Sequence, residues 1–128
     1  MTEKEMKVLS QAEWKVMKVV WSQGACAARD IAHQTEKLFG MTDVTTRTLL
    51  RRLVEKGHVK TRPVGNSYLY EPVSSMIDTI CEAADELLDH TPNDAAKSLM
   101  FHMVNQGKLS GDDIKELRNL LDTYKKPK

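Results

Sequence analysis

The sequence predicts a mainly helical protein with one small β-hairpin, arranged as two domains. Three observations predict this class. Three amphipathic segments precede residue 57, two strand-like segments surround a Gly-Asn turn between residues 58 and 71, and three further amphipathic segments follow Pro72. The length of 128 residues, 41% of them apolar, suits one domain or two small ones. Because Pro72 ends the second strand-like segment, we expect the domains to span residues 1–72 and 73–128.

The first two helices are predicted from their ends and their apolar spacing. Residues 10–13 form a capping box, in which a serine hydroxyl and a glutamate carboxylate satisfy free amides at the helix start. Gly24 ends this helix. The second helix begins after Ala27, where a capping hydroxyl is missing, and ends at Gly40. The apolar faces are predicted as Trp14, Met17 and Trp21 in the first helix and Ala28, Ile31 and Leu38 in the second.

A third helix and a hairpin complete the first domain. Thr42 caps the helix, which runs to about Lys56. Residues 58–63 and 67–71 have strand character, and Gly65 in the turn between them can adopt a positive φ. Three helices followed by a hairpin is the order of the winged helix-turn-helix, whose recognition helix enters the major groove of DNA. The buried stripe of the third helix is predicted as Thr46, Leu49, Leu50 and Leu53.

The second domain is predicted to contain three helices and to need a partner. Each of its segments has apolar residues on one side, with Ser110 as the cap of the last. A piece of roughly fifty residues buries too little apolar surface to be stable alone, and self-association is the simplest remedy. We therefore predict a three-helix dimerisation domain, with contacts from Ile77, Ile80, Leu87, Leu99, Met103, Ile114, Leu117 and Leu121.

The outward face of the third helix has the chemistry of a DNA-reading surface. When the apolar stripe faces inward, short hydroxyl residues and arginines face outward. Threonine can hydrogen-bond base edges or phosphates without blocking close approach, and arginine can clamp guanine or hold phosphates. The predicted contacts from this helix are Val44, Thr45, Arg47, Thr48, Arg51 and Arg52.

The hairpin is predicted to act as a wing that contacts the DNA backbone or minor groove. Lys60, Arg62 and Asn66 lie near its tip, and such contacts mainly position the protein while helix contacts specify the sequence. Six basic residues and a single acid lie between Thr45 and Asn66. The formal charge is +4 over residues 1–72 and −3 over the remainder, so the basic charge is concentrated in the predicted DNA-binding domain.

Four stretches of the sequence resemble the penicillinase-repressor family. Residues 9–21 (LSQAEWKVMKVVW) are similar to the family's opening helix, and residues 45–57 (TTRTLLRRLVEKG) to its recognition helix. Residues 68–72 (YLYEP) are similar to its last wing strand, and residues 109–111 (LSG) to the start of its final helix. The family includes the β-lactamase, methicillin-resistance and copper-responsive repressors. The resemblance implies a winged-helix repressor that dimerises through its C-terminal helices and binds a palindromic operator, with DNA contacts from Thr45, Thr48, Arg51 or Arg52 and the basic wing.

The chain departs from the family where the family senses its signal. In the antibiotic-responsive members a protease cuts an Asn-Phe bond in the fifth helix, and this chain has His102-Met103 there. Copper-responsive members have paired Cys-x-Cys motifs near the C-terminus, whereas no cysteine follows Cys81 here. The inducing signal therefore stays open, as does a sensor protease as a further partner. Val44 stands where some relatives have a polar or basic residue, which predicts a different operator sequence.

Several classes of protein are not expected. No apolar run approaches the ~18 residues of a membrane span and no signal-type stretch follows the N-terminus, so a cytoplasmic protein without a membrane partner is expected. Two cysteines form neither a disulfide framework nor a four-ligand zinc site. The sequence contains no Gly-rich phosphate loop, nucleophile elbow or triad. We expect no enzymatic activity, no cofactor and no bound metal.

Other interpretations of these residues stay open. The arginine-rich face can be a merely solvated surface, and Arg52 can pair with Glu13 on the first helix. Winged helices also serve as protein-interaction modules. A metal or redox sensor is the third alternative, in which the signal reaches Cys26 or the cluster of Met100, His102 and Met103.

Overall fold

A computed structural model of the chain describes residues 8–92 and 94–124. Residues 1–7, at the start of the first predicted domain, and residues 125–128, at the end of the second, therefore lie outside the described residues. The helices are α1 (Gln11–Gln23), α2 (Ala28–Phe39), α3 (Asp43–Glu55), α4 (Met76–Asp89), α5 (Ala95–Asn105) and α6 (Gly111–Thr123), and the strands are β1 (Cys26–Ala27), β2 (Val59–Val64) and β3 (Ser67–Pro72). The predicted class, mainly helical with a winged helix-turn-helix, is confirmed.

The strands form one antiparallel sheet in the order β1-β3-β2. The predicted hairpin is β2–β3, in which Val59 pairs with Pro72 and Val64 with Ser67 across a two-residue turn. Gly65 in this turn has a φ of 60°, which only glycine adopts without strain. Strand β1 was not predicted, because two residues are too few to show an alternating pattern. It pairs with β3 through Cys26 and Ala27 and so joins the start of α2 to the wing.

The predicted helix caps are confirmed. At α1 the Ser10 hydroxyl accepts a hydrogen bond from the Glu13 amide (3.2 Å), and the Ser10 amide donates to the Glu13 carboxylate (2.9 Å). At α3 the Thr42 hydroxyl accepts from the Thr45 amide (3.2 Å). Helix α2 begins at Ala27 without a side-chain cap, as its sequence predicts. These caps set the start of α3, and thus which of its residues face solvent.

The core lies between α1, α2, α3 and the start of β2. Methionine and aliphatic side chains fill it, with Met17, Ile31, Leu50 and Leu53 the largest that are fully buried. The predicted inward stripe of α3 is buried throughout, including Thr46. The hydroxyl oxygens of Thr46 and Thr35 lie 2.6 Å apart in this core and join α3 to α2 by a buried hydrogen bond. The opposite face of α3 is thereby directed outward.

An ion pair between a buried glutamate and a half-buried lysine joins the start of α1 to the end of α3. The Lys56 ammonium lies 2.6 Å from Glu13 Oε1 and also donates to the Val8 carbonyl oxygen (3.0 Å). Pairing of Glu13 with Arg52 was therefore wrong, and Arg52 is exposed. Burial alone raises the pKa of Glu13, but hydrogen bonds from Lys56 and Ser10 outweigh it and hold that pKa below its usual value.

The chain forms two compact units, Met1–Ala83 and Ala84–Lys128. The first contains the core and extends past Pro72 to Ala83. Within it the Trp21 indole donates to the Ser74 carbonyl oxygen (3.0 Å). In the second unit none of the residues that the structure describes is buried. The division after Pro72 into a DNA-binding and a dimerisation domain stays a prediction. None of the described helices has the length and apolar character to cross a bilayer.

Candidate nucleic-acid interface

The solvent face of α3 presents all six residues predicted from this helix to contact DNA. Five are exposed, and Thr48 is half-buried. Val44 has 74% of its surface accessible, although it is apolar. The six residues alternate along the helix with the buried stripe that faces the core. The structure thus brings together Val44, Thr45, Arg47, Thr48, Arg51 and Arg52 on one accessible side of the helix.

Local hydrogen bonds decide what this face can offer a ligand. Arg47 Nε lies 2.8 Å from Asp43 Oδ2 one turn earlier, and the terminal guanidinium nitrogens form no hydrogen bond to another described residue. The Thr48 hydroxyl donates to the Val44 carbonyl oxygen (2.9 Å), so Thr48 presents its methyl group and a lone pair. The Thr45 hydroxyl accepts from Thr42 (2.9 Å) and keeps its proton for another acceptor.

Two arginines of α3 carry uncompensated charge. Arg51 and Arg52 are both exposed, and neither has an acidic partner within residues 8–92 and 94–124. Glu55 is the nearest acid along the helix, four residues after Arg51. A free guanidinium beside exposed threonines can reach guanine edges or phosphates.

The wing presents its basic residues along one strand. Lys60 and Arg62 are two residues apart on β2, so their side chains share a face of the hairpin. Both are exposed, and both lie near Glu71 on β3, at 3.9 Å and 3.8 Å. Such exposed pairs are weak and yield readily to a phosphate. Asn66 is exposed in the turn, and the three predicted wing residues are therefore accessible.

An open groove of about 350 Å³ lies between α2, α3 and the wing. Arg47 is the predicted site residue that lines it. The others were not predicted, because they come from separate elements that meet only after β1 pairs with β3. The lining residues are Ala27, Ala28, Arg29, Arg47, Ser67, Tyr68 and Tyr70.

Comparison with known proteins assigns the chain to a family. The penicillinase repressor family model matches residues 9–123. The chain belongs to the penicillinase repressor family. The penicillinase repressor of Staphylococcus aureus is 29% identical over 126 residues, which cover 98% of this chain and 99% of that protein.

Two solved structures of the repressor BlaI resemble the winged-helix part of this penicillinase repressor family member. The solution structure of the BlaI DNA-binding domain has 27% identity and a TM-score of 0.52, over 57% of this chain and 89% of that one. Monomeric BlaI from Bacillus licheniformis in complex with the blaP half-operator has 28% identity and a TM-score of 0.50, over 56% and 87%. The predicted family and the winged-helix class are confirmed.

The helices α4–α6 of this penicillinase repressor family member expose apolar residues. Of the eight predicted dimerisation residues, six are exposed and Leu99 and Leu117 are half-buried. Further exposed apolar side chains in the second unit include Met100, Phe101 and Leu120. Exposure of so many apolar side chains to water is unusual for a monomer and indicates an interaction surface.

The residues of the alternative sensor sites of this family member lie on different elements of the fold. Among the described residues no three His, Cys, Asp or Glu side chains are grouped as metal ligands. Met100, His102 and Met103 are exposed on α5, and Cys81 is exposed on α4. Burial raises the pKa of the half-buried Cys26 thiol, and Asp30 raises it further, which lowers the reactive thiolate fraction.

We expect removal of the Arg62 charge to weaken DNA binding without changing sequence preference. Arg62→Ala removes one cation from each wing, and each lost phosphate contact makes the plot of log affinity against log salt shallower by about 0.9. Titration of a labelled duplex at several salt concentrations measures this slope. A slope equal to that of the unchanged protein would remove Arg62 from the interface.

Proposed function

We propose that this protein is a sequence-specific, DNA-binding transcriptional repressor that acts as a homodimer on a palindromic operator. The observation that carries the proposal is the exposed face of α3, which presents threonines and uncompensated arginines from a rigid, capped helix. Membership of a repressor family supports it, as does the solved complex of BlaI with a half-operator. Such a repressor works in the cytoplasm and needs no catalytic group.

The proposed mechanism divides the contacts between the helix and the wing. Helix α3 lies in the major groove, where Arg51 and Arg52 reach guanine O6 and N7 or a phosphate. The free hydroxyl proton of Thr45 suits a base or phosphate acceptor, and the exposed methyl groups of Val44 and Thr48 suit thymine methyls. The wing residues Lys60, Arg62 and Asn66 hold the backbone and set the orientation of the helix.

The exposed apolar faces of α4–α6 supply the second half of the mechanism. Their burial between two copies of the chain removes apolar surface from water. Each Å² of apolar surface removed contributes about 25 cal/mol of favourable hydrophobic free energy. The dimer holds two α3 helices at a spacing of one or more turns of DNA, about 34 Å or a multiple. Once one helix is bound, its partner sees a high effective concentration of the second half-site. Separation of the C-terminal helices would therefore release the operator.

We expect Arg51→Ala to lower operator affinity by about 1–3 kcal/mol and to relax preference at one position in each half-site. The reason is that a bidentate arginine contact distinguishes guanine from the other bases. Selection of bound duplexes from a random pool, followed by sequencing, measures both effects. Lys37→Ala, at the far end of α2, is the matched control and should change neither. Unchanged affinity and preference in Arg51→Ala would exclude a base contact by this residue.

The same selection tests the proposed function. The unchanged protein should enrich a palindromic sequence, and binding to it should weaken steeply as salt rises. A protein-interaction module would bind no duplex in a salt-dependent way, and that result would overturn the proposal. Adding metal ions should leave operator binding unchanged, and thiol quantification should show no change in the number of free thiols.

A further inference from the structure

The groove between α2, α3 and the wing has the charge of an anion site. Its lining residues include two arginines, Arg29 and Arg47, and no acidic residue. Asp43 engages the Nε of Arg47, and among the described residues the terminal nitrogens of both arginines have no hydrogen-bond partner. In the part of the chain that the structure describes, Arg29 forms no ion pair. Two arginines against the single carboxylate of Asp43 leave a net positive charge beside the groove, which attracts an anion.

Neutral donors complete the lining. Ser67 and Tyr68 are exposed, and their hydroxyl groups form no hydrogen bond to another described residue. Tyr70, which is half-buried, lies beside them. Hydroxyl and guanidinium donors that converge on one open space match the several acceptor oxygens of a phosphate group.

The position of the groove identifies the source of the phosphate. Arg47 belongs to the α3 face that is proposed to enter the major groove, and Ser67 follows the wing turn directly. A DNA strand that runs from the major groove of the DNA toward the wing therefore passes this groove of the protein. A phosphodiester of that strand meets the donors without displacing any protein contact except the exposed Arg47–Asp43 pair.

We propose that this groove binds a DNA backbone phosphate in each half-site, with Arg29, Ser67 and Tyr68 as positioning residues beside Arg47. The inference rests on the proposed function. It adds a third anchor, from the start of α2, to the base-reading helix and the wing. A helix that is held on both sides of its axis has less freedom to rotate in the major groove. The anchor therefore orients the α3 side chains that contact the bases, without reading a base itself.

The test compares Arg29→Gln with Lys37→Gln on the same helix. Both residues are exposed and both changes remove one charge, but Lys37 lies in the last turn of α2, away from the groove. A dimer of Arg29→Gln loses two phosphate contacts, so the salt slope should become shallower by about 1.8 and operator affinity should fall about 30-fold at about 0.15 M salt. Sequence preference should not change. Lys37→Gln should match the unchanged protein.

A chemical variant of the DNA locates the contact. A neutral methylphosphonate, placed at one backbone position at a time, should weaken the unchanged protein at one position per half-site and have little further effect on Arg29→Gln. Ser67→Ala and Tyr68→Phe should weaken operator binding, because each loses its contact with the phosphate at that same position. Equal salt slopes for Arg29→Gln and Lys37→Gln, in a protein that still binds its operator, would overturn the groove assignment alone. Failure of the unchanged protein to bind any duplex would overturn the proposed function itself.

Inorganic phosphate distinguishes a DNA phosphate from a free one. At constant ionic strength it should leave the nuclear magnetic resonance signals of Arg29 and Tyr68 unchanged below millimolar concentrations. Saturable shifts at lower concentrations, combined with an unchanged salt slope in Arg29→Gln, would identify a free-anion site and contradict the proposal.

Discussion

Leu121→Asp is expected to convert the proposed dimer to monomers and to lower operator affinity by about two to four orders of magnitude. Leu121 lies on the apolar side of α6 and is 59% exposed in the single chain, so the change costs the isolated subunit little. In a dimer the same position would bury an unpaired carboxylate, which is strongly unfavourable. Sedimentation measures the association, and titration of a labelled operator measures the affinity.

Asn119→Asp is the control for this change, because it adds the same charge on the polar side of the same helix. It should remain dimeric and bind the operator at full strength. Binding of a half-operator should be equal in Leu121→Asp and the unchanged protein, since the α3 face is untouched. A dimeric Leu121→Asp protein would refute the assignment of α6 to the interface.

Lys56→Met is expected to lower the free energy of unfolding by about 3 kcal/mol at neutral pH. Glu13 would lose its cation in a buried position, and its Oε2 already meets no donor in the described residues. The Val8 carbonyl oxygen would lose its donor too. Methionine preserves most of the side-chain volume, so the effect reports charge more than packing. Chemical denaturation measures it, with Lys18→Met on α1 as an exposed control.

The pH dependence separates this ion pair from a loss of packing. The pKa of Glu13 is lowered in the folded protein, so the pair stabilises the fold above the pKa of the unfolded chain. That contribution is lost as pH falls from the pKa of the unfolded chain through the lowered pKa of the folded state. The stability difference between Lys56→Met and the unchanged protein should therefore shrink on acidification. A difference that stayed constant from pH 7 to pH 3 would show that the ion pair does not stabilise the fold.

The order of elements and most of their boundaries follow from local sequence. Hydroxyl residues at Ser10, Thr42 and Ser110 mark helix starts because a cap depends only on residues within one turn. Gly65 marks the hairpin for the same kind of reason, since positive φ is a property of a single residue. The exposed face of α3 could also be predicted, because helical periodicity decides which residues share a side.

Partners separated along the chain were harder to predict. Arg52 and Lys56 are four residues apart, so they lie above each other on one face of α3. Periodicity cannot choose between them as the partner of Glu13, and only the angle between α1 and α3 selects Lys56. Strand β1 was not predicted because its two residues form a strand only by pairing with β3. The groove was missed because Arg29 and Tyr68 meet across that same pairing.

By itself, then, the sequence determined the class, the helix caps, the outward face of α3 and the apolar faces of the segments after Pro72. Each of these depends on neighbours within a few residues or on composition. The tertiary structure alone decided the Glu13–Lys56 pair, the third strand and the lining of the groove. These depend on distances between segments that are tens of residues apart, which are set by the packing of α1, α2 and α3 around one core.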